Sequence, residues 1–467
     1  MRGAGLRSGA HALIFFLGIV ALFCLGAELF TITAHTLKDY SEGWNAYHIA
    51  AAAHQPGLLY PAKGALFINN QPPLSFFLAG LIENFTSDAI IAGRILAFLS
   101  TIGTGIALGL AARLMGAGKL PSLLVAILFW AAPWVIVHFS ALNDPQMLGN
   151  FLDAAGLVLI LRRNPVSIAL SALFLVAALF VKPLFLALPL ALLIWLLVFE
   201  RRSALLLASF GFFFAAIGYG VVFFTLHVEL LSQLFSPRVF AWSAIPPAEW
   251  LAVEALPLLA SLSLFRLKND GLAFFAAIYA ALGFALGVIL SGFGSTGPLI
   301  DAGMAVALGA AVFLARGPVT GWTWPALGVT AVLQSLLLVL AFLGVWAQNP
   351  SLPEVMGRRY ATNFDTLVIK RHRDPVLCET LALCYWASKP AEVDVLSFTQ
   401  AAQKGARPGS DLTHLFESHY FSMIQLSPDS ALMAPSPLWL PLVRNYYLEH
   451  QDRNGLFLIP RFEPIRR

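Results

Sequence analysis

The sequence predicts an all-α polytopic membrane protein of about eleven transmembrane helices, with a small C-terminal α/β domain outside the cytoplasm. Three observations support this fold class. Of the 467 residues, 58% are hydrophobic and only 12% are charged, and the mean hydropathy is +0.77. Soluble domains carry about 25% charged residues. Several segments also reach the roughly 20 apolar residues that cross a bilayer, and basic residues flank them at alternate ends.

The predicted membrane domain covers residues 1–346. Its first apolar segment is longer than the apolar region of a signal peptide, and no clear small-residue cleavage site follows it. We therefore expect it to remain as a span. The predicted spans are 11–33, 88–112, 120–138, 147–161, 166–181, 184–200, 203–225, 250–265, 271–291, 299–315 and 323–346.

Basic residues mark one face of the membrane. The positive-inside rule assigns the ends that carry them to the cytoplasm. The N-terminus is therefore predicted to be cytoplasmic and, after an odd number of crossings, the tail to be outside. The net charge of +4 is scattered among these positions, which gives no indication of nucleic-acid binding. The residues are Arg2, Arg7, Arg113, Lys119, Arg162, Arg163, Arg201, Arg202, Arg266, Lys268 and Arg316.

The composition becomes more polar at about residue 347, and residues 347–467 are predicted to form the small outer α/β domain. Cys378 and Cys384 lie in this tail. An oxidising compartment would allow a disulfide between them, and the alternative is that both are small apolar core residues. The predicted strands are 375–379, 421–425 and 456–460, and the predicted helices are 379–387 and 395–405.

The first outer loop, residues 34–87, is the predicted site of chemistry. It begins with the acids Asp39 and Glu42 directly after the first span. Acids where lipid meets water are costly unless paired, so they are functional candidates, and a carboxylate beside an acceptor hydroxyl acts as a general base. The alternative is a solvated helix end. Two helices at the membrane interface are predicted in the same loop, at 42–54 and 73–82.

Three basic residues are candidates for holding a phosphate: Lys182 in a tight outer turn, Arg94 near the outer end of the second span, and Arg238 in a later outer loop. The alternative for each is a side chain that only reaches the headgroups. Asp144, in an Asn-Asp-Pro turn, and Asp301 are candidates for the pocket. For Asp144 the alternative is an ordinary turn residue.

Four short motifs in residues 39–100 resemble the polyprenyl-phosphate-dependent glycosyltransferases of the C superfamily, which include protein mannosyltransferases and aminoarabinose transferases. The turn at Asp144, the segment Phe180–Pro183 and the turn Gly294–Gly297 are similar to this group as well. The motifs are Asp39-Tyr40-Ser41-Glu42-Gly43, Gly57-Leu58-Leu59-Tyr60-Pro61, Asn70-Gln71-Pro72-Pro73-Leu74 and Ala92-Gly93-Arg94.

The resemblance implies inverting sugar transfer from a polyprenyl-phosphate donor to a hydroxyl on a glycolipid, glycan or protein, at the outer face of a bacterial cytoplasmic membrane. It implies Asp39 as the catalytic acid, with Glu42 in reserve. It also implies donor-phosphate contacts from Lys182 and Arg94. Tyr60 and His54 are added to the predicted pocket.

The resemblance leaves a divalent metal ion open, because some members bind one and others do not. No strict Asp-x-Asp is present, and the histidines show no zinc-ligand spacing. Two other functions are compatible with the sequence. A transporter or flippase would place charges inside its spans in repeated halves, whereas the charges here cluster on the outer side. A membrane scaffold without activity is the other alternative.

Overall fold

The chain is described by a computed structural model, and the predicted helical class is confirmed. Each predicted span up to residue 316 coincides with a helix or contains one, while the last, 323–346, lies almost entirely outside the described residues. Arg238 and the predicted domain boundary at 346 also lie outside them. The described residues are 2–62, 64–132, 135, 139–227, 240, 248–267, 269–292, 296–316, 333, 336, 352–433 and 436–461.

The described membrane part is built mainly from apolar helices. Five helices in the described part of the chain have the length and composition to cross a bilayer, and the other apolar helices there are shorter, so the number of about eleven spans stays a prediction. The five are α1 (Arg2–Thr31), α4 (Ala89–Leu114), α9 (Arg201–Leu226), α11 (Gly271–Ser291) and α12 (Pro298–Arg316). The others are α5 (Lys119–Trp130), α6 (Gln146–Ile160), α7 (Pro165–Val181), α8 (Ala187–Phe199) and α10 (Ala248–Ser263).

Small residues allow these helices to approach closely. A Cβ atom on Gly149 of α6 would lie 2.0 Å from the Phe185 ring, and one on Gly93 of α4 would lie 1.7 Å from the Asn143 amide oxygen. Both distances are far below any real contact, so only glycine fits. The second contact brings the outer end of α4 against the turn before α6, where the candidate site lies.

The two short helices predicted in the first outer loop are present as α2 (Tyr40–His54) and α3 (Leu74–Thr86). They pack on each other, with Gly80 of α3 facing Ala53 of α2. Trp44 and Phe76 are buried between them with ring centroids 5.9 Å apart. The buried faces of both helices fix the direction of the chain on either side of residue 39.

The tail forms a four-stranded sheet in the order β1-β2-β4-β3. β1 and β2 are parallel, and the other neighbouring pairs are antiparallel. Three strands were predicted, whereas the edge strand β3 was not. The strands are β1 (Val376–Cys378), β2 (Met423–Leu426), β3 (Tyr446–Asp452) and β4 (Gly455–Pro460). The tail helices are α13 (Leu352–Arg371), α14 (Leu381–Trp386), α15 (Val395–Gln403), α16 (Ser410–Glu417) and α17 (Trp439–Asn445).

Cys378 and Cys384 form a disulfide with their Cα atoms 5.8 Å apart, which decides between the two alternatives. The bridge joins β1 to α14. Cys24 in α1 is a free, buried thiol.

The tail packs directly on the first outer loop. The Tyr47 hydroxyl donates to the Lys389 carbonyl at 2.6 Å, and the Tyr385 hydroxyl accepts from the Ala89 N–H at 2.8 Å. A Cβ atom on Gly43 of α2 would lie 2.0 Å from the Ala382 backbone nitrogen of α14. The tail therefore forms one wall of the region around α2.

Candidate functional site

Asp39 caps the N-terminus of α2. Its backbone is extended, and its carboxylate accepts the Ser41 N–H at 2.8 Å. This is the capping geometry that acidic and hydroxyl residues provide, and the positive end of the helix dipole stabilises the charge. The Asp39 side chain is exposed, so the carboxylate is held in place while one face stays open to an incoming group.

Protein atoms crowd the Asp39 carboxylate although it is exposed. This desolvation raises its pKa, the Ser41 hydrogen bond opposes the rise, and the charges of Asp144 and Glu42 add to it. A carboxylate with a raised pKa accepts a proton more readily than an ordinary aspartate.

Glu42 is fully buried and forms a two-point ion pair with Arg94. Arg94 Nε donates to Glu42 Oε1 at 2.7 Å, and Arg94 Nη2 donates to Glu42 Oε2 at 2.6 Å. Neither side chain is exposed to solvent. Such a paired carboxylate has no free face for an acceptor, so the reserve catalytic role predicted for Glu42 is corrected to a structural one.

Arg94 also holds the segment between α1 and α2. Its Nη1 atom donates to the carbonyl of Ala34 at 2.6 Å, and its Nη2 atom donates to that of Thr36 at 2.8 Å. Longer contacts reach the carbonyls of Thr31 and Ile32. The five N–H donors of a guanidinium are therefore all engaged, and the predicted role of Arg94 as a phosphate contact is corrected as well.

Asn143 completes this buried assembly. Its backbone N–H donates to Glu42 Oε1 at 3.1 Å, and its side-chain amide donates to the Glu42 carbonyl at 2.9 Å. Its own carbonyl accepts from the Asn45 amide at 2.7 Å. Asn143 thereby fixes its neighbour Asp144 beside α2. The sequence signal was present in the Asn-Asp-Pro turn, where only the acid was selected.

Asp144 and Lys182 form a nearly buried ion pair, and the charge of Asp144 acts on the nearby Asp39 carboxylate. The Lys182 Nζ lies 3.2 Å from Asp144 Oδ1, and their side chains are 8% and 10% exposed. Asp144 also accepts the Gln146 N–H at 2.8 Å. Among the described residues, Asp144 is the one carboxylate that faces the Lys182 ammonium, so two of its three donors remain for another anion. The structure thus brings three predicted site residues together: Asp39, Asp144 and Lys182.

Lys38 was not selected from the sequence and fixes the backbone next to Asp39. Its ammonium donates to Glu28 Oε2 at 3.0 Å, to the Thr31 hydroxyl at 2.6 Å and to the Ala141 carbonyl at 2.9 Å. All three donors are used, so the side chain positions the chain and offers nothing to a ligand. A lysine directly before the acidic motif was the only sequence signal for it.

Asp301 lies on α12, buried inside the helix bundle. It accepts from the Tyr279 hydroxyl at 2.6 Å and is 5% exposed. Fully buried Asp153 on α6 is near enough to interact with it electrostatically, and neither oxygen of Asp153 accepts a hydrogen bond from the described residues. These acids form a deep pair within the bundle, so Asp301 is not placed in the pocket.

Two other predicted pocket residues have different partners. His54 pairs with Glu83 at 3.4 Å, at the end of α2 opposite to Asp39. Fifteen helical residues span roughly 22 Å, so His54 is removed from the pocket. The Tyr60 hydroxyl donates to the Gln71 carbonyl at 2.9 Å, which ties the loop together.

The described residues around Asp39 do not provide a set of metal ligands. Glu42 is occupied by Arg94, and Asp144 by Lys182. Within the described part of the chain, the only group of three or more acids, histidines or cysteines with converging ligand atoms is Asp365, His450 and Asp452 in the tail. No step at Asp39 is therefore assigned to a metal ion.

Solved structures with the same architecture cover nearly the whole chain. One is ArnT from Cupriavidus metallidurans bound to undecaprenyl phosphate, with a TM-score of 0.61, 16% identity, and coverage of 95% of this chain and 97% of that one. The likeness confirms the predicted fold class, a mostly helical membrane protein with a small C-terminal sheet.

Two further structures with this fold come from Archaeoglobus fulgidus. Its oligosaccharyltransferase in the apo form has a TM-score of 0.59 and 11% identity, covering 94% of this chain and 72% of that one. The archaeal oligosaccharyltransferase AglB with an inhibitory peptide and a dolichol-phosphate has a TM-score of 0.58 and 10% identity, covering 98% and 75%. No protein-family profile and no curated protein sequence matches the chain.

Proposed function

We propose that the chain is an inverting membrane glycosyltransferase that moves a sugar from a polyprenyl-phosphate donor to an acceptor hydroxyl. The observation that carries this proposal is the exposed, desolvated Asp39 carboxylate, held at the N-terminus of α2 beside the Asp144–Lys182 pair. The fold supports it, since ArnT with this architecture is bound to undecaprenyl phosphate.

Asp39 acts as the general base in the proposed reaction. Its carboxylate takes the proton from the acceptor hydroxyl, and the acceptor oxygen attacks the anomeric carbon of the donor sugar. The bond between that carbon and the phosphate oxygen breaks as the new bond forms, so the configuration inverts. The polyprenyl phosphate leaves with the electron pair.

Lys182 stabilises the departing phosphate. Its ammonium is nearly buried and is oriented by Asp144, which leaves donors for an anion in a poorly hydrated place where a charge contact is strong. Asp144 is the positioning residue for Lys182. Arg94 and Glu42 hold the backbone of the base and do not touch the substrates.

The proposed place of reaction is the outer face of a bacterial cytoplasmic membrane, with the N-terminus in the cytoplasm and residues 347–467 as an outer domain. The disulfide between Cys378 and Cys384 supports this side, because disulfides persist in oxidising compartments. The acceptor is a hydroxyl on a glycolipid, glycan or protein.

The deciding experiment replaces Asp39 with asparagine and measures sugar transfer from a polyprenyl-phosphate sugar in detergent. Asparagine caps helices as well as aspartate, so the Ser41 hydrogen bond is retained and only the base is lost. We expect transfer to fall by about 10²–10⁴-fold with an unchanged melting temperature. The matched control is Asp429→Asn, at an exposed position after β2, which should transfer normally. Equal activity in Asp39→Asn and wild type would refute the proposal.

A further inference from the structure

Three side chains in the tail converge at one point outside the Asp39 site. Asp365 lies on α13, while His450 and Asp452 lie two residues apart on β3, where alternate residues share a face. His450 Nε2 is 3.9 Å from Asp365 Oδ1 and 3.7 Å from Asp452 Oδ2. All three atoms lie within 4.8 Å of one another.

Two of the converging atoms, Asp365 Oδ1 and His450 Nε2, are buried and have no hydrogen-bond partner among the described residues. The Asp365 side chain as a whole is fully buried. The separations of His450 Nε2 from the two carboxylates are too long for hydrogen bonds. Leaving such buried atoms unsatisfied is costly, so the arrangement requires something between them.

Asn454 orients both carboxylates toward this point. Its side-chain amide donates to Asp365 Oδ2 at 2.5 Å, and its backbone N–H donates to Asp452 Oδ1 at 2.8 Å. The Asn454 carbonyl in turn accepts from the Gln425 amide at 2.8 Å, which anchors the turn to β2. One oxygen of each acid is thus held by the protein while the other points to the shared space. This is how outer residues orient metal ligands.

The His450 ring is fixed by aromatic neighbours. Its centroid lies 5.8 Å from that of Phe364 and 5.5 Å from that of Phe457. The His450 side chain is 37% exposed and that of Asp452 19% exposed, so one side of the group is open to water. Water can complete the coordination of an ion there.

We infer that Asp365, His450 and Asp452 form a binding site for a divalent transition metal, with zinc as the preferred ion. One imidazole and two carboxylates suit zinc, whereas calcium prefers six to eight oxygen atoms. Tetrahedral ligands about 2.0–2.1 Å from zinc lie roughly 3.3–3.4 Å apart. The two separations from His450 Nε2, 3.9 and 3.7 Å, exceed this by about 0.3–0.6 Å, and the two carboxylates offer oxygens no more than 4.8 Å apart.

The ion would join two parts of the tail. Asp365 lies on α13, which precedes β1 in the chain, while the other two ligands belong to the hairpin of β3 and β4. Bound zinc would tie this helix to the hairpin. The site shares no residue with the Asp39 assembly, so we assign it a structural role.

The test measures zinc in the full-length chain purified in detergent. The protein is stripped with a chelator, incubated with ZnCl2, passed through a desalting column and analysed by mass spectrometry for metal. We expect about one zinc per chain in the wild type and a rise in melting temperature with zinc. Asp365→Asn, His450→Gln and Asp452→Asn should each lose both effects. Asn454→Ala should bind zinc about 10–100-fold more weakly.

His414→Gln is the matched control, because it removes an exposed histidine of the tail outside the group. It should retain about one zinc per chain. The melting temperature of each ligand variant is also measured without zinc, which separates a folding defect from loss of the ion. Zinc retained by His450→Gln at the wild-type level, or a wild type that retains no zinc, would overturn the inference.

Two results together would identify a proton shared within the group in place of an ion. The wild type would hold no zinc, and Asp452→Asn would melt at the wild-type temperature. X-ray absorption should show one nitrogen ligand and otherwise oxygen around the zinc. Sulfur in that shell would place the ion at a cysteine and exclude this site.

Discussion

The two acid pairs of the membrane part differ in what surrounds them. At the outer end, Glu42 is neutralised by Arg94, and Asp39 remains exposed at the helix cap. Deep in the bundle, the described partner of Asp301 is the Tyr279 hydroxyl, and the Asp153 oxygens accept no hydrogen bond from the described residues. Of the two outer acids, Glu42 is held in an ion pair, and the Asp39 carboxylate is left free.

This difference teaches that an acid near a membrane cannot be assigned a role from its position alone. A buried carboxylate is tolerated when a guanidinium neutralises its charge and fills its hydrogen bonds, as Arg94 does for Glu42. The neighbouring Asp39 then remains free to react. The two pairs can be compared directly by changing one carboxylate to an amide in each.

The largest effect is expected for Glu42→Gln. The change leaves the buried Arg94 guanidinium without its counter-charge, which costs about 3–5 kcal/mol in the free energy of unfolding. The measurement is the melting temperature in detergent, followed by size-exclusion chromatography. Arg201→Gln, at an exposed position of α9, should melt as the wild type does. An unchanged melting temperature for Glu42→Gln would mean that the pair contributes no stability.

A smaller effect is expected for Gly43→Ala, next to Glu42. The added methyl would meet the Ala382 backbone at 2.0 Å, so α2 and α14 must separate. Overpacking of this kind costs about 1–3 kcal/mol. Limited proteolysis should then release the tail faster than in the wild type. The control is Gly57→Ala, since nothing lies within 4 Å of a Cβ atom there; equal proteolysis rates in both variants would contradict this contact.

The pH dependence of sugar transfer tests Asp39, the free carboxylate. A base is active when ionised, so activity is lost as the pH falls through its pKa. Because desolvation raises the pKa of Asp39, the acidic limb of kcat/KM should lie above the value of about 3.9 for an ordinary aspartate. Below it, the rate should fall about tenfold per pH unit. A limb at or below 3.9 would show that the carboxylate is not desolvated.

The smallest effect is expected for Asp153→Asn in the deep pair. The substitution removes one of two neighbouring buried carboxylates and keeps the shape, so the free energy of unfolding should change by less than about 1 kcal/mol, in either direction. The melting temperature is compared with that of Glu42→Gln, which makes the same chemical change. A loss as large as in Glu42→Gln would mean that Asp153 is held by a charged partner.

The positions of the helices could be predicted because long apolar segments with polar ends leave few alternatives. Asp39, Asp144 and Lys182 could be selected because each is a charge beside an apolar segment. Their proximity could not be derived from spacing. β3 was missed because it is an edge strand whose residues, such as Glu449, are largely exposed and polar.

The roles of Glu42 and Arg94 could not be separated from those of catalytic residues in the sequence. Glu42 and Arg94 are charged residues near helix ends. In the sequence, a charged residue at such a position looks the same whether it contacts a substrate or forms an ion pair. The contact depends on how α1, α2 and α4 meet. Asp365 was missed for a related reason, because its partner atoms lie on β3, far along the chain.

The carbonyl contacts of Arg94 have a consequence for the tolerance of the chain to insertions and deletions. Outer loops usually accept changes in length, but the carbonyls of Ala34 and Thr36 both bind one guanidinium, and α2 begins at Tyr40 with Glu42 on the same group. Adding or removing a single residue between Thr36 and Asp39 would move the base out of register. Related proteins that use the same base should therefore keep this spacing constant while the loop after α2 varies.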